Sequence, residues 1–394
     1  MRPNRLEGLE FIPEPGEPRI LTAVDPSTVQ HDVGWRSEVM GWSPLEASPI
    51  PRRRRPRNGS LVSMAVLIAL LVLIMSQGWL IVTLPPPDSE WAFESTGLRS
   101  LQSKGLDGDG VSVCVVDTGV DQSHSALTGV NLTFLDLVQG STRPVDHGST
   151  AHGTMMVGLL VAEGHQSGAA PAVRLGVVAA LSADEDGENT GDEDVVADAV
   201  DWCSTTFGAN LISLSLGGAR IPGSRDLVAG AVRRALATGV YVVAAAGNDG
   251  GPDDDGDVSS PAFVPQVIAV GASDVNGTVW TSSSRGGQGE DPNKKPEVIA
   301  PGVDVISTGF DDGWYASSGT SVGTVMVSAA LSMILQAHPS LTDLGDDRCI
   351  DEVKRALAES LGGLHDPQRG YGVLDAEAWN ASINVDCADT SEQV

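Results

Sequence analysis

The stretch Val111-Ser112-Val113-Cys114-Val115-Val116-Asp117-Thr118-Gly119-Val120 decides the fold. Its first part is apolar or small and mostly β-branched, which suits a strand buried on both faces. The run stops at a carboxylate followed by Thr118 and Gly119, so the strand ends in a sharp turn with Asp117 at its carboxyl edge. Outward from it, 173–180, 211–216, 240–246 and 267–271 are short runs of the same kind. Between them, 151–162, 193–206, 224–238, 319–337 and 347–361 carry helical patterns. This alternation predicts an α/β domain of three layers: a mainly parallel sheet covered by helices, with its site at the carboxyl ends of the strands.

Two other segments place reactive residues at helix starts. His152-Gly153-Thr154 opens the apolar segment 155–162, and Ser318-Gly319-Thr320-Ser321-Val322-Gly323-Thr324 opens a helix dense in Gly, Ala and Val. Alone, such a histidine is more often a cap or surface residue, and such a serine a plain N-cap. A serine at a buried helix N-terminus nevertheless meets the positive end of the dipole, which favours a developing oxyanion.

Taken together, Asp117, His152 and Ser321 resemble the subtilisin-like serine peptidases, whose triad runs Asp, His, Ser along the chain. Val115 to Val120, His152 to Thr154 and Gly319 to Ser321 look like that family's three motifs. Leu214-Ser215-Leu216-Gly217 resembles its substrate-pairing strand, and Ala244-Ala245-Ala246-Gly247-Asn248 its oxyanion segment. Lys295-Pro296-Glu297-Val298-Ile299-Ala300-Pro301-Gly302 and Gly370-Tyr371-Gly372-Val373-Leu374-Asp375-Ala376 are similar to further family segments, so the likeness spans 91–379. The resemblance implies a subtilisin-like fold and an endopeptidase that cleaves protein or peptide substrates through an acyl-enzyme. It implies Asp117, His152 and Ser321 as catalytic residues, Asn248 as oxyanion donor, and Ser215, Leu216 and Gly217 as substrate-binding residues. Asn rather than Asp at 248 separates the chain from sedolisin-like peptidases. Two other readings stay open on the same fold, an inactive binding domain and an acyl transferase or ligase.

The chain departs from the family pattern in places. Met155-Met156 stand where His-Val is usual, Ala151 where Gly precedes the histidine, Val325 where Pro is usual and Met326 where His is frequent. His147-Gly148 is a rival base without the following Thr. No cofactor is expected. Many relatives bind structural calcium in a loop after the histidine helix, but here 162–171 passes quickly into a Gly-Ala-Ala-Pro turn. The acidic stretches 184–194 and 249–257 lack EF-hand spacing, and solvated loops are the plainer reading. The second of them lies just beyond Asn248 and predicts a preference for basic substrate side chains, weakened by salt.

Composition narrows the partners. Asp+Glu 52 against Lys+Arg 24 gives a net charge of -28, which disfavours nucleic acid and anionic lipid for the main body. Such an acidic, Lys-poor chain fits a saline habitat or an ordinary exported protein. Cys114, in its apolar strand, reads as a buried free thiol, whereas Cys349 and Cys387 form a pair if their side is oxidising.

The N-terminal part is organised differently. Residues 1–60 form a Pro-, Glu- and Ser-rich tail that ends in the basic cluster Arg52 to Arg57, and read as disordered. The uncharged apolar segment 61–84 has the length of a transmembrane helix, with Trp79 near its outer end. A cleaved signal peptide would have a shorter apolar region. Arginines precede this segment and none follows until Arg99, which keeps the tail cytoplasmic and exports the body. The expected organisation is therefore tail 1–60, one span 61–84, linker 85–90 and peptidase domain 91–394. It predicts a single-pass protein of the cell membrane with its catalytic domain extracytoplasmic.

Overall fold

Every residue of Ser112–Asp117 is buried, and this strand (β1) is an inner strand of a parallel sheet. The computed structural model describes residues 30–31, 64, 88–219, 225–252, 254–287, 289–342, 345 and 347–384. Around β1 lie β2 (Leu132–Asp136), β3 (Arg174–Ala179), β4 (Leu211–Leu214), β5 (Tyr241–Ala245), β6 (Ile268–Ser273) and β7 (Val298–Pro301). The seven strands run in the order β7-β6-β5-β4-β1-β3-β2, and every neighbouring pair is parallel. Val115 pairs with Val177 on one side and Ser213 on the other. The expected parallel sheet is therefore present, its five expected strands lie within a few residues of their expected positions, and the buried edge strand β7 is an addition to them.

The half-exposed edge strand β2 was not among the expected strands. Its mixed burial lacks the continuous apolar run that marks the inner strands. A hairpin of β8 (Val305–Thr308) and β9 (Trp314–Ser317) leads into the serine helix, and Gln30–His31 pairs antiparallel with β9 at Ala316 and Tyr315.

Two helix pairs cover the sheet. α3 (His152–Val161) packs on α6 (Thr320–Ala337), and α6 lies along β4 to β7, while α4 (Glu193–Trp202) packs on α5 (Leu227–Leu236). α6 is apolar all round because it is buried nearly all round. Gly323 permits its close approach: a Cβ there would stand 2.9 Å from the Gly271 carbonyl of β6. Among the described residues α6 alone is long and apolar enough to cross a membrane, and it is a core helix. The expected span 61–84 lies outside the described residues apart from Met64.

The reading of Cys114 as a free thiol is corrected. α4 continues into a π-helical turn, Cys203–Phe207, that closes at left-handed Gly208. This turn brings Cys203 against β1, and Cys114 and Cys203 form a disulfide with Cα atoms 5.8 Å apart. Their sequence separation of 89 hides the pair from any short spacing rule. Cys349 is disulfide-bonded as well, and Cys387 lies outside the described residues.

Candidate active site

Three neighbouring strands deliver the site at their carboxyl ends: β1 ends on Asp117, β4 is followed by Ser215, and β5 leads to Asn248. Two helix starts face them, with His152 opening α3 and Ser321 in the first turn of α6. Asp117, His152 and Ser321 are all buried. His152 Nδ1 lies 2.6 Å from Asp117 Oδ1, which also accepts from the Thr118 backbone N–H at 2.7 Å. The carboxylate fixes Nδ1 as the protonated ring nitrogen and leaves Nε2 as the basic one. Nε2 is buried and has no hydrogen-bond partner among the described residues.

Glycines allow these two segments to meet. A Cβ on Gly153 would stand 2.1 Å from the Gly119 carbonyl oxygen, and a Cβ on Gly119 would stand 2.0 Å from that of Val145. Ala151, the residue before His152, has φ 56 and ψ 38, so a residue with a side chain occupies the left-handed region. Glycine suits that conformation without steric cost, which gives the family's usual Gly a physical reason.

Ser321 Oγ donates to the Ser215 carbonyl at 3.0 Å, and Ser215 Oγ donates back to the Ser321 carbonyl at 3.0 Å. The substrate-pairing candidate Ser215-Leu216-Gly217 is thus tied directly to the serine helix. Gly217 has no room for a side chain, because a Cβ would lie 2.9 Å from Ser259 Cβ.

Asn248 has a defined amide orientation. Its Oδ1 accepts from the Thr320 backbone N–H at 3.0 Å and from Thr320 Oγ1 at 2.9 Å, which identifies that atom as the oxygen. A Cβ on Gly319 would stand 3.6 Å from Asn248 Nδ2, 3.8 Å from its Oδ1, which Thr320 already occupies, and 3.9 Å from the Ser321 backbone nitrogen. Two N–H donors therefore flank a point that glycine leaves open, beside the positive end of an 18-residue helix. A developing alkoxide is stabilised by such an arrangement.

His147 lies in a different environment. Its Nε2 is 3.0 Å from Asp136 Oδ2 at the end of β2. Burial alone would raise the Asp136 carboxyl, but the backbone N–H groups of Gln139, Ser141 and Val138 and the His147 ring outweigh it and hold it below its ordinary value.

The acidic stretch beyond Asn248 is partly paired and partly buried. Asp254 faces Arg285 at 3.4 Å. Burial pushes the Asp249 carboxyl above its ordinary value, its Ser284 hydrogen bond works against this, and Asp255 and Asp254 raise it further. Asp253 lies outside the described residues.

The described carboxylates of the two acidic stretches serve their own loops. Asp184 accepts from the N–H groups of Asp186 and Glu188, Asp254 from Gly256, and Asp255 from Asp257, so each closes its own turn. Among the described residues, no three acidic, His or Cys side chains converge as metal ligands.

A buried Asp–His pair and a serine at a helix start, brought to one end of a parallel sheet, are the parts that a serine-type endopeptidase needs. The subtilase family model matches residues 108–373, and the chain belongs to that family. Subtilisin DY from Bacillus licheniformis is 31% identical over 282 residues, covering 71% of this chain and 93% of the relative. Subtilisin E from Bacillus subtilis (strain 168) is 32% identical over 247 residues, covering 62% of this chain and 60% of the relative. Serine protease AprX from the same strain is 32% identical over 314 residues, covering 69% of this chain and 66% of the relative. The chain thus spans nearly all of one of these relatives and about two thirds or less of the others.

Proposed function

We propose that Asp117, His152 and Ser321 are the catalytic triad of a membrane-anchored endopeptidase, with Asn248 as oxyanion donor. The observation that carries this reading is the His152 ring, bonded to Asp117 through Nδ1 while its buried Nε2 has no partner among the described residues. For attack, Ser321 Oγ turns its proton from the Ser215 carbonyl to Nε2, since serine is a weak nucleophile without a base. Resting structures commonly show such catalytic hydrogen bonds unmade. Oγ then adds to the scissile carbonyl, and Asn248 Nδ2 and the Ser321 N–H hold the oxyanion. His152 returns the proton to the leaving amine, and water repeats the sequence in reverse on the acyl-enzyme. Asp117 stays ionised and stabilises the imidazolium. Ser215, Leu216 and Gly217 supply the backbone edge on which extended peptide lies.

Anchoring through 61–84 rests on that segment's length, its lack of charge and the arginines before it. The disulfide between Cys114 and Cys203 supports an oxidising, extracytoplasmic location for the domain. The test is a fluorophosphonate probe on the full-length chain in detergent, with the adduct mapped by mass. Modification of Ser321, abolished together with peptide cleavage in Ser321→Ala and nearly so in His152→Ala, is the expected result. Labelling at another serine, or His147→Ala as the inactivating change, overturns the assignment. Products formed from a peptide ester with an added amine separate hydrolysis from acyl transfer.

A further inference from the structure

One carboxylate outside the triad bonds to both of the segments that carry the Asp–His pair. Asp146 lies in the loop before α3 and is only 9% exposed. Its Oδ1 accepts from Thr118 Oγ1 at 2.7 Å and from the Gly148 N–H at 2.9 Å. Its Oδ2 accepts from the Thr154 N–H at 2.8 Å and from Thr154 Oγ1 at 2.6 Å. Thr118 follows Asp117 and its N–H bonds that carboxylate, while its Oγ1 also accepts from the Gly153 N–H at 2.9 Å. Thr154 lies two residues beyond His152, and its Oγ1 accepts from the Asp121 N–H at 2.8 Å. The two threonines therefore cross-link the Asp117 turn and the first turn of the His152 helix, and Asp146 holds both.

This differs from the purely turn-closing aspartates Asp184 and Asp274. Asp184 and Asp274 accept from N–H groups no more than four residues away, which closes a turn. Asp146 makes one bond of that kind, to Gly148, and directs the other three to residues 8 and 28 positions away. Charge-assisted bonds of this length are the strong, geometry-fixing kind.

We propose that Asp146 is a positioning residue for the peptidase reaction, fixing Asp117 against His152 by holding Thr118 on one carboxylate oxygen and Thr154 on the other. The proposal rests on the triad reading. Misplacing a reacting pair by about 1 Å costs about 10²-fold in rate. Asp146→Asn keeps the volume but turns an N–H₂ group towards one pair of donors. It is expected to lower kcat, counted per fluorophosphonate-titrated site, by about 10²-fold with KM changed less than about threefold. Thr118→Val is expected to lose a comparable factor and Thr118→Ser to recover most of it. Adding Thr118→Val to Asp146→Asn is expected to cost little more, because both break one link.

The full-length wild type is labelled first. Failure of Ser321 to react overturns the triad reading and this proposal with it. A labelled wild type beside an Asp146→Asn protein whose kcat per site is unchanged, or whose loss lies in KM alone, overturns the role of Asp146 only. If Asp146→Asn does not fold, the Thr118 pair decides: equal kcat for Thr118→Val and Thr118→Ser overturns the proposal.

Discussion

A methyl group on Gly319 would stand within van der Waals reach of both proposed oxyanion donors, 3.6 Å from Asn248 Nδ2 and 3.9 Å from the Ser321 nitrogen. The backbone at Gly319 is extended, with φ 165, so alanine adopts it without strain. Gly319→Ala is therefore expected to fold with wild-type stability while its methyl blocks the approach of the oxyanion. One such donor is worth about 10² to 10³ in kcat, a figure from a member of this family, and a loss of that size is expected with thermal stability unchanged. A Gly319→Ala enzyme with full kcat would show that the oxyanion lies elsewhere. Residues of this kind differ in how far the sequence reveals them. Asp117, His152 and Ser321 are legible because each sits in a short glycine-bearing motif, and the glycines have a local reason in the backbone contacts of Gly119 and Gly153. Asp146 is illegible because its donors come from Thr118, Gly148 and Thr154 at spacings that only the folded loops bring together.

At the scale of elements, strands buried on both faces announce themselves as β-branched runs, and β1, β3, β4, β5 and β6 all do. The edge strand β2 and β9 do not, since partial exposure breaks the run. The link between β1 and the turn after α4 is hidden for another reason: a buried cysteine looks the same whether free or paired. This disulfide joins the strand that carries Asp117 to a helix on the sheet and encloses a long segment of chain. Removing such a crosslink costs about 2–5 kcal/mol. The double variant Cys114→Ala/Cys203→Ala is expected to unfold at correspondingly lower denaturant in equilibrium unfolding, and a midpoint equal to that of the wild type counts against a stabilising role.

For the whole molecule, the proposed membrane anchor bears on how the peptidase domain reaches its active form. A folded inhibitory propeptide between the targeting segment and the catalytic domain is a common device in secreted subtilases. Here the apolar segment ends at Leu84, and α1 (Glu90–Ser95) already packs into the peptidase domain through buried Ala92 and Phe93. The few residues between them include Pro85-Pro86-Pro87 and cannot form a core, because units below about 40 residues need outside support. The tail 1–60 is no substitute if the arginines keep it on the cytoplasmic face. The pairing of Gln30–His31 with β9 argues the other way, since a cytoplasmic tail cannot reach it. Magnitudes favour the span. A backbone hydrogen bond contributes about 1 kcal/mol net, whereas each Leu, Ile or Val of a span contributes about 0.3–0.6 kcal/mol, and 61–84 holds many of them. The enzyme is therefore expected to become active without removal of a prodomain and to act close to the bilayer on membrane-proximal substrates. Comparing intact masses of wild type and Ser321→Ala in membranes tests this: both are expected to keep the same N-terminus. A wild type shortened between Leu84 and Glu90 while the inactive variant stays full length would show self-processing, and with it release from the tether.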